Sequence, residues 1–184
     1  DETSVEAFTA ALRSDLARVA GRISHLRIDP EVERDGPLDP DGALRRAFDR
    51  HGWRRAAPIQ PEVSRIIDLR PDEQALWGDL RKKWRQYVNR ARTAGYRVVE
   101  GDGDRLGEFY AIYRETAARA GFLIRTEQAY RDVWHAYRPT GQARLLLAED
   151  AGGQAQAVLF LVNCGPRVVE PYGGMTARGA EDRA

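Results

Sequence analysis

The 184-residue chain is 42% apolar and 31% charged, the balance of a folded globular protein rather than a disordered one. Its one cysteine, Cys164, excludes an intrachain disulfide and a thiolate metal cluster, and it is compatible with a reducing, cytoplasmic compartment. The net charge of +1 conceals a one-sided stretch: residues 81–97 carry Arg81, Lys82, Lys83, Arg85, Arg90, Arg92 and Arg97 and no acid, which points to an anionic partner or to a solvated helix face.

In chain order, Thr3-Ser4-Val5-Glu6 reads as a capping box that opens a helix. Val5, Phe8, Leu12, Leu16 and Val19 then recur at helical spacing, with Gly21 as a terminator. Ile23 to Ile28 reads as a short strand that stops at Asp29-Pro30, and Glu33 to Gly42 has turn and loop chemistry. Leu44, Ala47 and Phe48 mark a brief helix ending near Gly52. Ala56 to Pro61, with prolines and no period, reads as a connector, so that residues 1–57 and 58–184 are expected to form two lobes.

Past the connector the pattern is regular. Val63 to Leu69 predicts a strand, and Leu76, Trp77, Leu80, Trp84, Tyr87, Val88 and Ala91 one long helical stripe closed by Gly95. Tyr96 to Glu100 predicts a strand, followed by a Gly101–Asp104 turn. Leu106, Phe109, Tyr110, Tyr113 and Ala117 predict a helix, and Tyr130, Val133, Trp134 and Tyr137 another after Thr126. The period then shortens. Ala143 to Ala148, Ala155 to Asn163 and Arg167 to Tyr172 are three strands joined by hairpin-type turns, and the tail from Thr176 approaches a further helix. The fold class is therefore mixed α/β with an antiparallel meander. The longest apolar run, Ala155 to Val162, is too short to span a bilayer, and the acidic first residues do not resemble a signal peptide.

Familiar catalytic signatures are scarce. His25, His51 and His135 lack the pairwise spacing of a metal site, and no nucleophile elbow or P-loop occurs. Cys164 lies in an expected hairpin turn without a neighbouring base. Arg138 to Ala143 fits the (Q/R)xxGx(G/A) pattern with which GNAT enzymes hold the pyrophosphate of coenzyme A. That chemistry needs backbone N–H groups at a helix N-terminus, whereas here a strand follows. The match reads as chance, and no metal or cofactor is called for.

A set of short segments carries a resemblance. Arg27-Ile28-Asp29-Pro30-Glu31-Val32 after an amphipathic helix resembles the end of the first GNAT-like lobe in the Fem family of peptidoglycan aminoacyltransferases. Ile66-Ile67-Asp68-Leu69 resembles that family's next opening strand. Lys82 and Arg85 with Val88-Asn89-Arg90-Ala91 resemble its KxxRxxI(N/R)xA helix. Glu108-Phe109-Tyr110 through Glu115-Thr116 is similar to EFYxLxxET, and Arg119 through Gly121-Phe122 to Arg125 to RxGFxxR. Leu145 to Glu149 is similar to LxLAE, and Tyr172-Gly173-Gly174-Met175 to YGGS, with Met175 in place of a small polar residue. Together these segments imply the closing part of one GNAT-like lobe (residues 1–57) and the opening part of a second (58–184), an internal piece of a longer protein.

The resemblance implies a function. An amine on the stem peptide of a peptidoglycan precursor attacks the ester carbonyl of aminoacyl-tRNA, and an interpeptide bridge is built. The partners would be aminoacyl-tRNA and a UDP-linked or lipid-linked muropeptide, with peripheral association at the inner membrane face through the lipid-linked form. Arg125, Tyr130 and Tyr172 would bind the precursor, through a guanidinium suited to carboxylate or phosphate and through phenols. Asp29 would act as an acid/base or amine-orienting carboxylate, and Lys82, Lys83 and Arg85 would contact tRNA phosphates. Bland roles stand beside these: a loop charge for Arg125, a core stripe with Trp134 for Tyr130, a turn cap for Asp29. Tyr172 is favoured because its two glycines would let a ligand approach the backbone. The alternatives are a coenzyme-A-dependent GNAT N-acyltransferase and a nonenzymatic tRNA- or precursor-binding module.

Overall fold

The computed structural model describes residues 1–19, 23–30, 36, 39–57 and 65–182, which divide into two units, Asp1–Ile67 and Asp68–Ala184.

Among the described residues, the first unit holds a pair of helices, α1 (Glu2–Val19) and α2 (Ala43–Arg50). The α1 N-terminus is capped two residues earlier than expected: Asp1 Oδ1 accepts the Ser4 N–H at 2.9 Å and lies 2.8 Å from Ser4 Oγ. The α2 N-terminus is held by buried Asp39, whose carboxylate accepts the N–H groups of Leu44 and Arg45 at 2.7 and 3.3 Å. Trp53 locks the pair. Its ring meets Phe8 and Phe48, each at 6.0 Å, and its indole N–H donates to Thr9 Oγ1 at 2.8 Å. Val5 and Thr9 are buried, while Phe8 and Val19 at the stripe's flanks stay exposed. Residues 23–30 form no strand, contrary to expectation, because no partner strand runs beside them among the described residues. The expected terminator Gly21 and half of the 33–42 loop lie outside the described residues.

The second unit is built on a four-stranded antiparallel sheet in the order β1 (Arg97–Gly101), β2 (Ala143–Glu149), β3 (Ala155–Cys164) and β4 (Arg167–Met175). Residues 65–70 carry no strand, although the sequence predicts one over Val63–Leu69. Ile66, Ile67 and Leu69 are exposed with no ladder to join, and residues 63 and 64 lie outside the described residues. The long helix expected over residues 76–91 is two, α3 (Glu73–Asp79) and α4 (Lys82–Thr93). Leu80 and Arg81 adopt extended ψ values of 134° and 144°, which end one axis and start another just past Gly78.

Helices α5 (Leu106–Ala120) and α6 (Glu127–Tyr137) cover one sheet face, each extending from a short 3₁₀ turn or leading into one. Strand alternation buries Ala143, Leu145 and Leu147 of β2, and Leu145 and Leu147 face Phe160 and Val158 of β3 across the ladder. Leu106, Phe109 and Ile112 of α5 and Tyr130 and Trp134 of α6 close the core over them. Each buried aromatic side chain of this kind contributes on the order of 2–3 kcal/mol by removal from water. The register between β3 and β4 slips between Phe160↔Tyr172 and Val162↔Val169, which places Glu170 and Pro171 in a bulge.

The last helix, α7 (Ala177–Asp182), is fastened from several sides. Asp150, buried at the β2–β3 hairpin, accepts the N–H groups of Gly152 and Gln154 and the Gln156 side-chain amide, and pairs with Arg178 at 3.0 Å. These donors hold the Asp150 carboxyl below its usual range, with the Gln154 N–H the largest cause. Tyr96 Oη donates to Asp182 at 2.9 Å. Among the described residues, no helix is long and apolar enough to cross a membrane.

Candidate substrate-binding site

The residues expected to bind precursor come together. Tyr130 of α6 and Tyr172 of β4 meet edge to face with centroids 4.9 Å apart, and the Arg125 backbone N–H donates to Tyr130 Oη at 3.1 Å. The Tyr130 side chain is 2% exposed and shares the core with Trp134, so the bland expectation for it holds for the ring, while its hydroxyl serves the loop that carries Arg125. The Arg125 side chain is exposed and has no hydrogen bond or ion pair among the described residues.

One residue not singled out in the sequence stands at the centre. Tyr113 of α5 lies 5.7 Å from Tyr130, 6.0 Å from Tyr172, 5.8 Å from Phe122 and 5.6 Å from Phe109, centroid to centroid. A signal for it exists: Phe109 and Tyr113 are four apart on a helix, and Tyr110 shares that aromatic run. Burial pushes the phenols of Tyr113 and Tyr130 above their ordinary pKa, so both are neutral hydrogen-bond donors near pH 7.

Gly174, the second glycine after Tyr172, has a different role from the one expected. A Cβ on Gly174 would stand 2.7 Å from Thr116 Oγ1 and 3.2 Å from the Tyr113 Cα, so the close approach is that of α5 itself. Thr116 Oγ1 accepts the Met175 N–H at 2.9 Å and lies 2.9 Å from its carbonyl, so helix and strand are joined beside the aromatic cluster.

The basic helix divides in two. Arg85 is turned inward: its Nη1 donates to the carbonyls of Gly78, at 2.8 Å, and Leu80, closing the end of α3. That use removes the reason to count it with the phosphate contacts. Lys82 is exposed with no bonded partner among the described residues, and Lys83 Nζ lies 5.6 Å from the Tyr87 ring centre. Asp29 belongs to the first unit and is exposed, and the residues 31 and 32 that a turn cap at this position would serve lie outside the described residues.

Cys164 is exposed at the end of β3. No group of three or more His, Cys, Asp or Glu could hold a metal among the described residues. Arg138–Thr140 is a 3₁₀ turn that feeds β2, with the Arg138 guanidinium over Trp134, so the (Q/R)xxGx(G/A) match opens no α-helix.

The model of the FemAB family matches residues 46–150, more than half of the chain. The chain belongs to the FemAB family. The match takes in Lys82, Lys83, Arg85, Arg125 and Tyr130, and leaves Asp29 and Tyr172 outside it. Among curated relatives, the lipid II:glycine glycyltransferase of Staphylococcus saprophyticus is 28% identical over 128 residues, 67% of this chain and 31% of that protein. The lipid II:glycine glycyltransferase of Staphylococcus aureus is 27% identical over 155 residues, 81% of this chain and 37% of that protein. The chain thus spans about a third of the length of these relatives. The crystal structure of FemX matches with a TM-score of 0.68 at 17% identity, covering 100% of this chain and 63% of that one. The likeness to FemX establishes the fold, the mixed α/β GNAT-like architecture expected from the strand and helix order.

Proposed function

We propose that the protein transfers an amino acid from aminoacyl-tRNA to the stem peptide of a peptidoglycan precursor. The observation that carries this reading is the FemAB match over residues 46–150, which contains Arg125 and Tyr130 of the tyrosine cluster, together with relatives named for glycyl transfer to lipid II.

The chemistry suits the residues. The acceptor amine attacks the ester carbonyl, the amide bond forms, the ester C–O bond breaks, and the tRNA 3′-oxygen leaves with the proton given up by the amine. An aminoacyl ester is already activated, so positioning and hydrogen bonding to the developing oxyanion supply much of the acceleration. Neutral Tyr113 and Tyr130 favour orientation of a peptide over proton abstraction, and the Arg125 guanidinium, left free among the described residues, suits a carboxylate or phosphate of the muropeptide. Asp29 is assigned the acceptor amine, and Lys82 and Lys83 the tRNA phosphates. The coenzyme-A alternative finds less support, because the stretch that would hold pyrophosphate is a 3₁₀ turn leading into a strand, and the first amide of α7 is taken by Glu115 at 2.6 Å.

The test is a transfer assay on the full-length protein with charged tRNA pools and UDP-linked or lipid-linked muropeptides, read by mass spectrometry. A product heavier by one aminoacyl residue, dependent on charged tRNA, is the expected result. Acylation that follows added coenzyme-A thioester, or binding of both substrates without amide formation, would overturn it.

A further inference from the structure

The loop between α5 and α6 presents its apolar residues outward. Leu123 is 99% exposed and Phe122 is 41% exposed, in a molecule whose core holds Phe109 and Phe160 fully buried. This exposure is not that of a loose end. On one side the Phe122 N–H donates to Ala117 O at 3.1 Å, and on the other the Arg125 N–H donates to Tyr130 Oη at 3.1 Å. Gly121, at φ +75°, turns the chain outward between helix and tip. A leucine held out between two backbone anchors sacrifices the burial that large apolar side chains ordinarily gain on folding.

The surroundings specify what the tip meets. Residues 116–126 contain Arg119 and Arg125 and no acidic residue. Arg119 is engaged by Met175 O at 2.8 Å and Glu115 at 3.5 Å, whereas the Arg125 guanidinium is open among the described residues. An apolar apex beside a free cation matches the boundary of an anionic bilayer, where the apolar group enters the acyl region and the cation meets phosphate at headgroup depth, that of a lipid-linked acceptor included. The tip is also joined to the candidate site, since the Phe122 ring lies 5.8 Å from Tyr113.

We infer that Phe122 and Leu123, with Arg125, form an interfacial tip that dips into an anionic lipid surface and presents the mouth of the tyrosine cluster to a lipid-linked acceptor. This rests on the proposed transfer to a peptidoglycan precursor and adds the surface at which it occurs. Two apolar side chains give weak, reversible attachment, and the lipid-linked substrate supplies the second hold.

The experiment uses the full-length protein and vesicles of phosphatidylethanolamine with phosphatidylglycerol, compared with phosphatidylcholine alone. Wild type partitions into the anionic vesicles, Leu123→Trp shows a blue-shifted emission on binding, and Leu123→Asp loses roughly tenfold or more in partitioning with an unchanged melting temperature. Leu123→Asp transfers normally to a water-soluble muropeptide and poorly to the lipid-linked one. Equal partitioning of wild type and Leu123→Asp, or equal binding to phosphatidylcholine, overturns the inference. So does a drop of several degrees in the melting temperature of Leu123→Asp, which would mean that protein covers the leucine. Loss of transfer to both acceptors by wild type would defeat the transferase reading alone, because vesicle partitioning is scored without catalysis.

Discussion

The Tyr130 hydroxyl receives the backbone N–H of Arg125 at 3.1 Å while its ring stands edge-on to Tyr172 at 4.9 Å, so one side chain ties the α5–α6 loop to the sheet. Tyr130→Phe removes only the acceptor, which lowers stability by about 1 kcal/mol in urea denaturation. Tyr130→Ala also empties the core beside Phe109 and costs about 3–5 kcal/mol. In the transfer assay Tyr130→Phe and Arg125→Ala raise KM for the muropeptide more than they lower kcat. An unchanged KM in both variants would detach this pair from precursor binding.

Alkaline pH probes the same cluster. The phenols of Tyr113 and Tyr130 are raised by burial, so the unfolded chain loses these protons first, near pH 10. Their contribution is intact below about pH 10 and is lost as the pH rises through the folded values. Urea midpoints should fall over that range, and the Tyr113→Phe/Tyr130→Phe double variant should fall less steeply.

Asp150 governs the acid side. Its carboxyl is held low by the Gln154 N–H first, then by Gln156, Gly152 and Arg178, so the stability it provides is present above about pH 4 and lost as the pH falls through the folded value. Asp150→Asn should lower the denaturation midpoint at neutral pH and flatten its decline between about pH 4 and 2. An acid limb identical to that of wild type would assign the decline to other carboxylates.

Substituting glycines separates crowding from strain. Gly174→Ala forces the new methyl against Thr116 and the Tyr113 backbone and should cost about 1–3 kcal/mol, with α5 and β4 pushed apart. Gly165→Ala meets nothing within 4 Å but sits at φ +56°, so it should cost about 1 kcal/mol from backbone conformation alone.

The basic helix makes a divided prediction. Reversing Lys82 and Lys83 to Glu should weaken tRNA binding and make the log–log salt dependence shallower by about 1 for each phosphate that a lysine no longer neutralises. Arg85→Ala should instead lower thermal stability, through the freed α3 carbonyls, with the salt slope unchanged. A salt slope identical in the double reversal and wild type removes α4 from any RNA interface.

Local periodicity makes most of the second unit readable. The alternation at Ala143, Leu145 and Leu147 and the four-residue spacing of Phe109 and Tyr113 report neighbours already fixed by strand and helix geometry. What stays hidden depends on partners distant in sequence. Ile66 to Leu69 and Ile23 to Ile28 have strand composition, but a strand exists only where another backbone completes its ladder. The stripe from Leu76 to Ala91 keeps its phase across the break at Leu80 and Arg81, which the spacing of apolar residues does not encode. Gly174 is legible as a tight approach, though the partner is α5 rather than a ligand. Residue type points to Tyr130 and Tyr172 separately, and only the fold brings Tyr113 between them.

The fastening of α7 has a consequence for biosynthesis. Tyr96 beside the first strand is bonded to Asp182, and Arg90 reaches the Glu181 carbonyl at 3.4 Å, so the approach to β1 and α4 are joined to residues that lie 86 and 91 positions later in the chain. On the ribosome, α4 and β1 therefore complete these contacts only after the meander and α7 have emerged. Such late-arriving pairings slow folding and leave apolar surface uncovered in the nascent chain for that interval.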